Sequence, residues 1–572
     1  MKRLDALAQL TAAGQPYELV ETRIGDRACR VFRNAPQTLG ELYASTRSDQ
    51  PFVVYGEERL SFEAVWIQSC TLAAALVEDY GVAPGDRVAI SMRNYPEWII
   101  AFSAITGIGA VAVAMNALWQ PEEMAFGLSH SGARVLLADS ERLDRLAASA
   151  SAPSELAVIG VRTGGAVPPG VQTYETVMSR PAVDAMPAAA VLPDDDAIML
   201  FTSGSTGHPK GAVSTHRNVI SALLSWELDA HAAVLIGLVS APAEPAPQTV
   251  ALLGIPLFHV TGLHAVYLSC YRAQRRLVSM YKWDAAVAAD LVEREGVTHF
   301  TAPAAVTGDL IDPAARTGRD LGTLAQIGGG GAPRAPEQVR AIDRVFASAR
   351  PATGWGMTET NAIGVGIAAR DYLDHPESSG QVSAVLDLRI VDESGRVLGP
   401  MERGELQVCG ASIMKGYWNR PDANAETFVD GWLRTGDVAY VDPDGFVYIV
   451  DRIKDLVIRG GENIGCGAVE AALLEHPAVQ EAAVYGVPDA RLGEEVGATL
   501  YVSQAVEEAE LRAFLEPRLA RFQIPRYFRI TYAPLPRIAS GKILKRQLRE
   551  EAAALLEHVP ISGKRLSDRD ML

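Results

Sequence analysis

The ten residues Thr202-Ser-Gly-Ser-Thr-Gly-His-Pro-Lys-Gly211 follow directly on the apolar run Ile198-Met199-Leu200-Phe201. A run apolar on every side is a strand buried in a sheet, so the chain is constrained to layered α/β architecture at this point. The loop after it has the chemistry of a polyphosphate cradle. Gly204, Gly207 and Gly211 let backbone N–H groups crowd around phosphate oxygens, Thr202, Ser203, Ser205 and Thr206 add hydroxyl donors, and Lys210 adds a cation. A bare Ser/Gly stretch is also the composition of a flexible linker. The strand ahead of it and the Pro209-Lys210-Gly211 ending favour the cradle. The spacing is not that of a Walker A loop, in which Gly-Lys is followed by Ser or Thr, and this disfavours a P-loop kinase or GTPase.

The chain has 572 residues, too many for one core, and at least two domains are expected. With 48% hydrophobic and 21% charged residues it has the composition of a globular enzyme. A net charge of −17 argues against nucleic acid as a partner. The five cysteines, Cys29, Cys70, Cys270, Cys409 and Cys466, are scattered without metal spacing, which fits a reducing cytoplasm. Met1 to Tyr17 has no sustained apolar core, so no secretory leader is expected there. The uncharged stretch Trp98 to Gln120 is divided by Gly107 and Gly109 into a helix-like and a strand-like half, so it is expected to be buried α/β core and no integral membrane segment is expected. Self-association is left open.

Helical spacing over Val65 to Asp79 alternates with short strands at Arg87 to Ile90 and Arg134 to Ala138. Ala147 to Pro193 reads as poorly specified connection and Ala241 to Pro247 as a surface insertion. Ser214 or Thr215 is placed to cap a helix carrying Val219, Leu223 and Trp226, and Val250 to Ile255 returns as a strand. Near Gly404 short alternating runs separated by Gly and Asp-Gly turns predict a small β subdomain. Beyond about Asp455, Val457-Ile458, a helix over Ala468 to His476, a strand over Ala482 to Val487 and a helix over Glu508 to Leu519 predict a second compact unit.

Further motifs follow in order: Gly330-Gly-Ala-Pro333, Gly354-Trp-Gly-Met-Thr-Glu359, Gly431-Trp-Leu-Arg-Thr-Gly-Asp437, Asp451-Arg-Ile-Lys-Asp455, Gly460-Gly-Glu-Asn-Ile464 and Pro536-Arg-Ile-Ala-Ser-Gly-Lys542. With the opening loop they make the sequence resemble the adenylate-forming superfamily of acyl-CoA synthetases, luciferases and peptide-synthetase adenylation domains, from about Leu60 to Leu548. The resemblance implies a large multi-layer N-terminal domain with a β subdomain, residues 1–453, and a small mobile α+β C-terminal domain, residues 454–572, hinged at Lys454. It implies ATP, magnesium and coenzyme A as cofactor and co-substrates, and a small-molecule carboxylic acid as substrate.

The roles that the resemblance implies are chemically sensible. Glu359 is a hard oxygen ligand for magnesium, and Thr358 beside it is a donor to the α-phosphate. Trp355, where relatives usually carry tyrosine, offers a face to adenine; Gly356 and Met357 continue that motif, while the glycine run Gly328 to Gly331, leading into the motif Gly330, Gly331, Ala332, Pro333, would let a base and an acyl group lie close to backbone. Asp437 resembles the ribose clamp, with Arg452 reaching the same sugar. Lys542 is expected to hold the carboxylate against ATP and to offset charge at the α-phosphate. Gly460, Gly461 and Glu462 are expected to shape a thiol channel when the small domain rotates about Lys454. His259 resembles a gate near the acyl carbonyl, although a lone histidine there also suits a satisfied core position. Asp451 and Gly465-Cys466 depart from the family pattern at the thiol channel.

No acidic residue falls within Pro256 to His264, where amino-acid-activating relatives place an aspartate, so an amino-acid substrate is disfavoured. Val260, Leu263, Ala332, Met357 and Ile363 suit a hydrophobic fatty or aryl acid, hence a role in fatty acid or lipid metabolism. No carrier attachment site follows Lys542, so transfer to free coenzyme A is the leading expectation. The alternatives are an acyl-AMP ligase that loads a separate carrier protein and, outside the family, an ATP-dependent kinase or an inert nucleotide-binding regulator.

Overall fold

The run before the hydroxyl-rich loop forms the strand Asp196–Thr202, in which Ile198, Met199 and Leu200 are at most 2% exposed. It lies inside an eight-stranded sheet ordered 416–417, 210–215, 196–202, 111–114, 87–91, 135–139, 157–161, 171–173. From 196–202 to 171–173 neighbouring strands run parallel, while Lys210–Thr215 returns antiparallel and is itself paired by Gly416–Tyr417. Burial on both faces is why these strands read as unbroken apolar sequence rather than as alternation. The structure is a computed structural model that describes residues 1–557, apart from 26, 166, 203–208, 242–244, 317, 333, 347, 454, 460–461, 490 and 539–540.

The stretch from Trp98 divides as its glycines indicate, into the helix Pro96–Gly107 and the strand Val111–Ala114, joined by Gly109 at φ +75°. Thr215 supplies the cap of the helix His216–Leu235, its hydroxyl accepting from the Asn218 amide. Ala147 to Pro193 is more ordered than its composition suggests. It contributes the strands Ala157–Val161 and Val171–Thr173 and the turn of helix Tyr174–Val177. Val171–Thr173 is a three-residue strand at the sheet edge, so its hydrophobic signal is weak, and Ala157–Val161 lies next to it. A second sheet has nine strands, and Leu386–Val391, Gly404–Gly410, Trp432–Val441, Phe428–Val429 and Val447–Arg452 make the β subdomain.

The chain packs as two units, the first formed by Met1–Thr435 and Ala439–Ile449, the second by Gly436–Val438, Val450–Ile538 and the chain from Lys542 onward. The second unit has its own core, with Val457, Val469, Leu473, Val484, Leu500, Leu511, Leu515 and Phe528 buried. Its long hairpin Val479–Asp489 and Gly493–Val502 pairs in parallel with Tyr527–Thr531. Around these strands pack the helices Cys466–Leu474, Glu508–Leu515 and Lys545–Glu557. Among the described residues no helix is long and apolar enough to cross a membrane.

Candidate active site

In the first unit, strand pairing builds the site. Thr202 stands opposite Lys210 where the strands Asp196–Thr202 and Lys210–Thr215 pair. Gly416–Tyr417 pairs with the strand Lys210–Thr215, and the Trp418 amide donates to the Gly211 carbonyl at 2.8 Å. That register brings the Tyr417 ring under the Lys210 ammonium, 4.8 Å from Nζ to the ring centroid, a cation–π contact. The Tyr417 hydroxyl then donates to Glu359 Oε1 at 2.6 Å. One phenol thus joins the cation at the end of the cradle to a carboxylate fifty-eight residues away in sequence.

Glu359 is only 6% exposed. It sits in the short turn Thr358–Thr360, which is held from both sides: the Met357 amide donates to Thr360 Oγ1 at 3.0 Å, and the Met414 amide donates to the Glu359 carbonyl at 2.8 Å. Asn361 and Ala362 follow at φ +57° and +64°, and the Asn361 side-chain amide donates to the Ser412 carbonyl at 2.9 Å. A Cβ on Gly356 would lie 2.4 Å from the Ala362 carbonyl oxygen, so only glycine fits there. Trp355 ends the strand Arg350–Trp355, its ring against Gly364. Gly329 and Gly330 lie beside that strand; the Gly329 amide donates to the Ala352 carbonyl at 2.8 Å, and Gly331 turns away at φ +76° towards Ala332.

His259 stands just ahead of Thr261–Leu268, a π-helix, a rare form that concentrates at functional sites. Its main-chain carbonyl accepts the Leu263 amide at 2.9 Å. Gly262 is obligatory, because a Cβ would meet the Pro256 carbonyl oxygen at 2.3 Å. His264, fully buried on that π-helix, is held neutral, with burial pushing its pKa down to about 3.

In the second unit Asp437 is 3% exposed and pairs with Arg452, Nε to Oδ1 at 3.1 Å. Asp451 fixes the same turn: its Oδ1 accepts the Arg452 amide at 2.7 Å and its Oδ2 the Cys466 amide at 2.5 Å. Glu462 is exposed at the tip of the hairpin Val457–Arg459 and Glu462–Ile464. Lys542 closes another hairpin, its carbonyl accepting the Ile538 amide at 2.8 Å while the Leu544 amide donates to Pro536 at 2.7 Å. That hairpin is tied down on both flanks. Glu481 takes the Leu535 amide at 2.7 Å and pairs with Arg537, and Lys545 pairs with Glu470 at 2.7 Å. Ser203, Gly204, Ser205, Thr206, Gly207, Pro333, Lys454, Gly460 and Gly461 lie outside the described residues.

The residues thus fall into a set around Lys210, Tyr417 and Glu359 in one unit and, in the other, the Asp437–Arg452 pair and the separate hairpin of Lys542. Two family models match, the AMP-binding enzyme over residues 40–418 and the AMP-binding enzyme C-terminal domain over 468–542. The chain belongs to the AMP-binding enzyme family. Within it, this AMP-binding enzyme is of the acyl-CoA synthetase type, an AMP-forming acid-thiol ligase. It is 37% identical to a feruloyl-CoA synthase of an Amycolatopsis species, over 82% of this chain and 89% of the relative. It is 33% identical to the long-chain-fatty-acid–CoA ligase FadD13 of Mycobacterium tuberculosis, over 83% and 90%. Among solved structures it is similar to the o-succinylbenzoate CoA synthetase of Bacillus subtilis in complex with its acyl-adenylate intermediate, with TM-score 0.74 and 29% identity over 90% of this chain and 98% of that one.

Sequence reasoning missed Tyr417. Lys415-Gly-Tyr-Trp418 contains an aromatic pair after glycine, but only the pairing of Gly416–Tyr417 with Lys210–Thr215 reveals what the phenol touches.

Proposed function

We propose that the AMP-binding enzyme joins a hydrophobic carboxylic acid, fatty or aryl, to the α-phosphorus of ATP and then passes the acyl group to coenzyme A. The observation that carries this is the Lys210–Tyr417–Glu359 chain, in which one phenol contacts both the cation at the end of the cradle and a buried hard carboxylate. Among the described residues no cluster of three His, Cys, Asp or Glu side chains is placed to hold a metal. Glu359, a buried hard carboxylate, would hold a magnesium ion, and Thr358 beside it would donate to the α-phosphate. When bound, that ion neutralises phosphate charge.

In the first half-reaction a carboxylate oxygen of the acid attacks the α-phosphorus, the bond to the bridging oxygen of the β-phosphate breaks, and pyrophosphate leaves. Lys210, with the cradle, holds the departing pyrophosphate. Trp355 and the glycine run receive the base, and Asp437 with Arg452 receives the ribose hydroxyls. Lys542 stabilises charge at the α-phosphate oxygens. In the second half-reaction the coenzyme A thiol sulfur attacks the acyl carbon and AMP leaves, the thiol proton passing to solvent. Rotation of the C-terminal domain, 454–572, about Lys454 exchanges Lys542 for the 460–462 loop between the two steps, and His259 gates the thiol entrance. The relatives named above act on an aryl and on a long-chain acid, which supports an apolar acyl group of either kind.

The test is product analysis with a panel of fatty and aromatic acids. Acid-dependent AMP and pyrophosphate with coenzyme A consumption is expected; ADP would mean a kinase, and adenylation without coenzyme A consumption would mean loading of a carrier protein. Lys542→Ala should lower adenylation by about 10²-fold or more while sparing thioester formation from supplied acyl adenylate. Equal loss of both halves would remove its assigned role.

A further inference from the structure

A buried, fully charged arginine without an acid beside it is costly, because a guanidinium loses several kcal/mol of hydration unless its donors are met (about that order for any ion). Arg334 is in that position. It is 6% exposed, and none of Nε, Nη1 and Nη2 makes a hydrogen bond of acceptable geometry. No carboxylate pairs with it among the described residues. Tyr372 is the polar group that acts on it, and burial pushes its pKa below the usual arginine range.

Its head is aimed into the glycine run. A Cβ on Gly329 would lie 2.8 Å from Arg334 Nη2, 3.1 Å from Nε and 3.0 Å from Thr353 Oγ1, so the missing side chain at 329 is what admits the guanidinium. Next to it, a Cβ on Gly330 would meet nothing closer than the Gly354 carbonyl oxygen at 4.0 Å. The run thus passes from a buried Gly328 through the open backbone floor of Gly330 to an exposed Gly331, with a donor-only fork at its buried side. Thr353 and Tyr372 add hydroxyls to the fork. A planar carboxylate is the group whose two oxygens match an arginine fork and whose charge cancels it.

We infer that Arg334 is a specificity-determining residue, and that the acid activated by this enzyme bears, on an otherwise apolar skeleton, a second carboxylate that pairs with Arg334 beside Gly329. The inference rests on the acid-activating function proposed above and names its substrate class.

The experiment compares acids in matched pairs, fatty acids against α,ω-diacids of the same length and arylalkanoic acids against their ring-carboxylated counterparts. Pyrophosphate release gives kcat/KM, and calorimetry with each acid alone gives binding without turnover. For at least one pair the full-length enzyme is expected to prefer the diacid by about 10- to 100-fold, the range of a hydrogen-bonded charge pair. Arg334→Met should bring that ratio close to one, in binding as in turnover, and Arg334→Lys should leave an intermediate ratio, since it keeps the charge without the fork. Circular dichroism of each variant checks that it folds. Monoacid preferred throughout, or a ratio unmoved by Arg334→Met, overturns the assignment. So does a rise in the KM for ATP with the acid ratio unchanged, which would give Arg334 to the nucleotide base. If no acid releases pyrophosphate, the function itself falls; if monoacids do and diacids are no better, the Arg334 assignment falls alone.

Discussion

The hairpin that carries Lys542 is only as well placed as its anchors, and Lys545→Met tests one of them. Lys545 opens the helix Lys545–Glu557 and reaches Glu470 at 2.7 Å, where Glu470 Oε1 also accepts the Val484 amide at 2.7 Å. Methionine keeps the apolar stem and removes the ammonium, leaving a mostly buried carboxylate with a single amide donor. Breaking a fully buried pair costs about 3–5 kcal/mol. The Lys545 side chain is 31% exposed and that of Glu470 13%, and solvent screening lowers the expected loss to about 2 kcal/mol. Burial already raises the Glu470 pKa. Without the ammonium it rises further, and a carboxyl with a folded pKa above its unfolded value gains stability as pH falls. The defect should therefore narrow on acidification from neutral pH. Hydrogen exchange read by mass spectrometry over 479–489 and 545–557 should accelerate by about 30-fold, the rate equivalent of 2 kcal/mol. ATP–pyrophosphate exchange should fall by about tenfold or more as Lys542 loses its placement, while thioester formation from supplied acyl adenylate persists. Unchanged exchange in both segments, with unchanged ATP–pyrophosphate exchange, would refute the anchoring role.

Tyr417→Phe keeps the ring under Lys210 and removes the 2.6 Å bond to Glu359. A hydrogen bond to a charged group contributes about 1.5–3 kcal/mol, so the magnesium concentration for half-maximal adenylation should rise by about tenfold or more; no change would mean that Glu359 is placed without the phenol. Acid stability gives the other measurement. Burial pushes His216 down to about 4 and His264 down to about 3, against an unfolded value of about 6.5. A base with a depressed folded pKa stabilises fully above its unfolded pKa, and each of these histidines should withdraw about 1.4 kcal/mol per pH unit as pH falls from 6.5 towards 4. All eight tryptophans, Trp66 to Trp432, lie in the first unit, so urea unfolding followed by tryptophan fluorescence reports that unit, and His264→Gln should make its stability less steep in pH by one proton. An unaltered slope would show that His264 is not the titrating group.

What could be read from the sequence, and what could not, separates along one physical line. Lys210, Glu359, Asp437 and Lys542 stand in glycine-rich or turn-forming motifs, as the proposed function requires of backbone that approaches a ligand, and such motifs keep their residue types close together in the chain. The alternation of helix and buried strand was legible for a related reason: burial on both faces of a strand leaves a continuous apolar run, as in Ile198 to Leu200. The edge strand Val171–Thr173, within Ala147 to Pro193, was not, since three residues carry too few buried positions to mark a period. Tyr417 and Arg334 escaped on different grounds. The role of Tyr417 is created by a two-residue pairing with Lys210–Thr215, and no local pattern encodes the partner of an edge strand. Arg334, in Pro333-Arg-Ala-Pro-Glu337, has the sequence signature of a solvated residue ahead of a helix; its burial comes from the empty Cβ position of Gly329. Motifs fix which chemistry a chain can perform on phosphate. The choice of acid is set by side chains such as Arg334, whose surroundings are assembled from separate strands and helices, so substrate class becomes legible only where a residue type and its burial disagree.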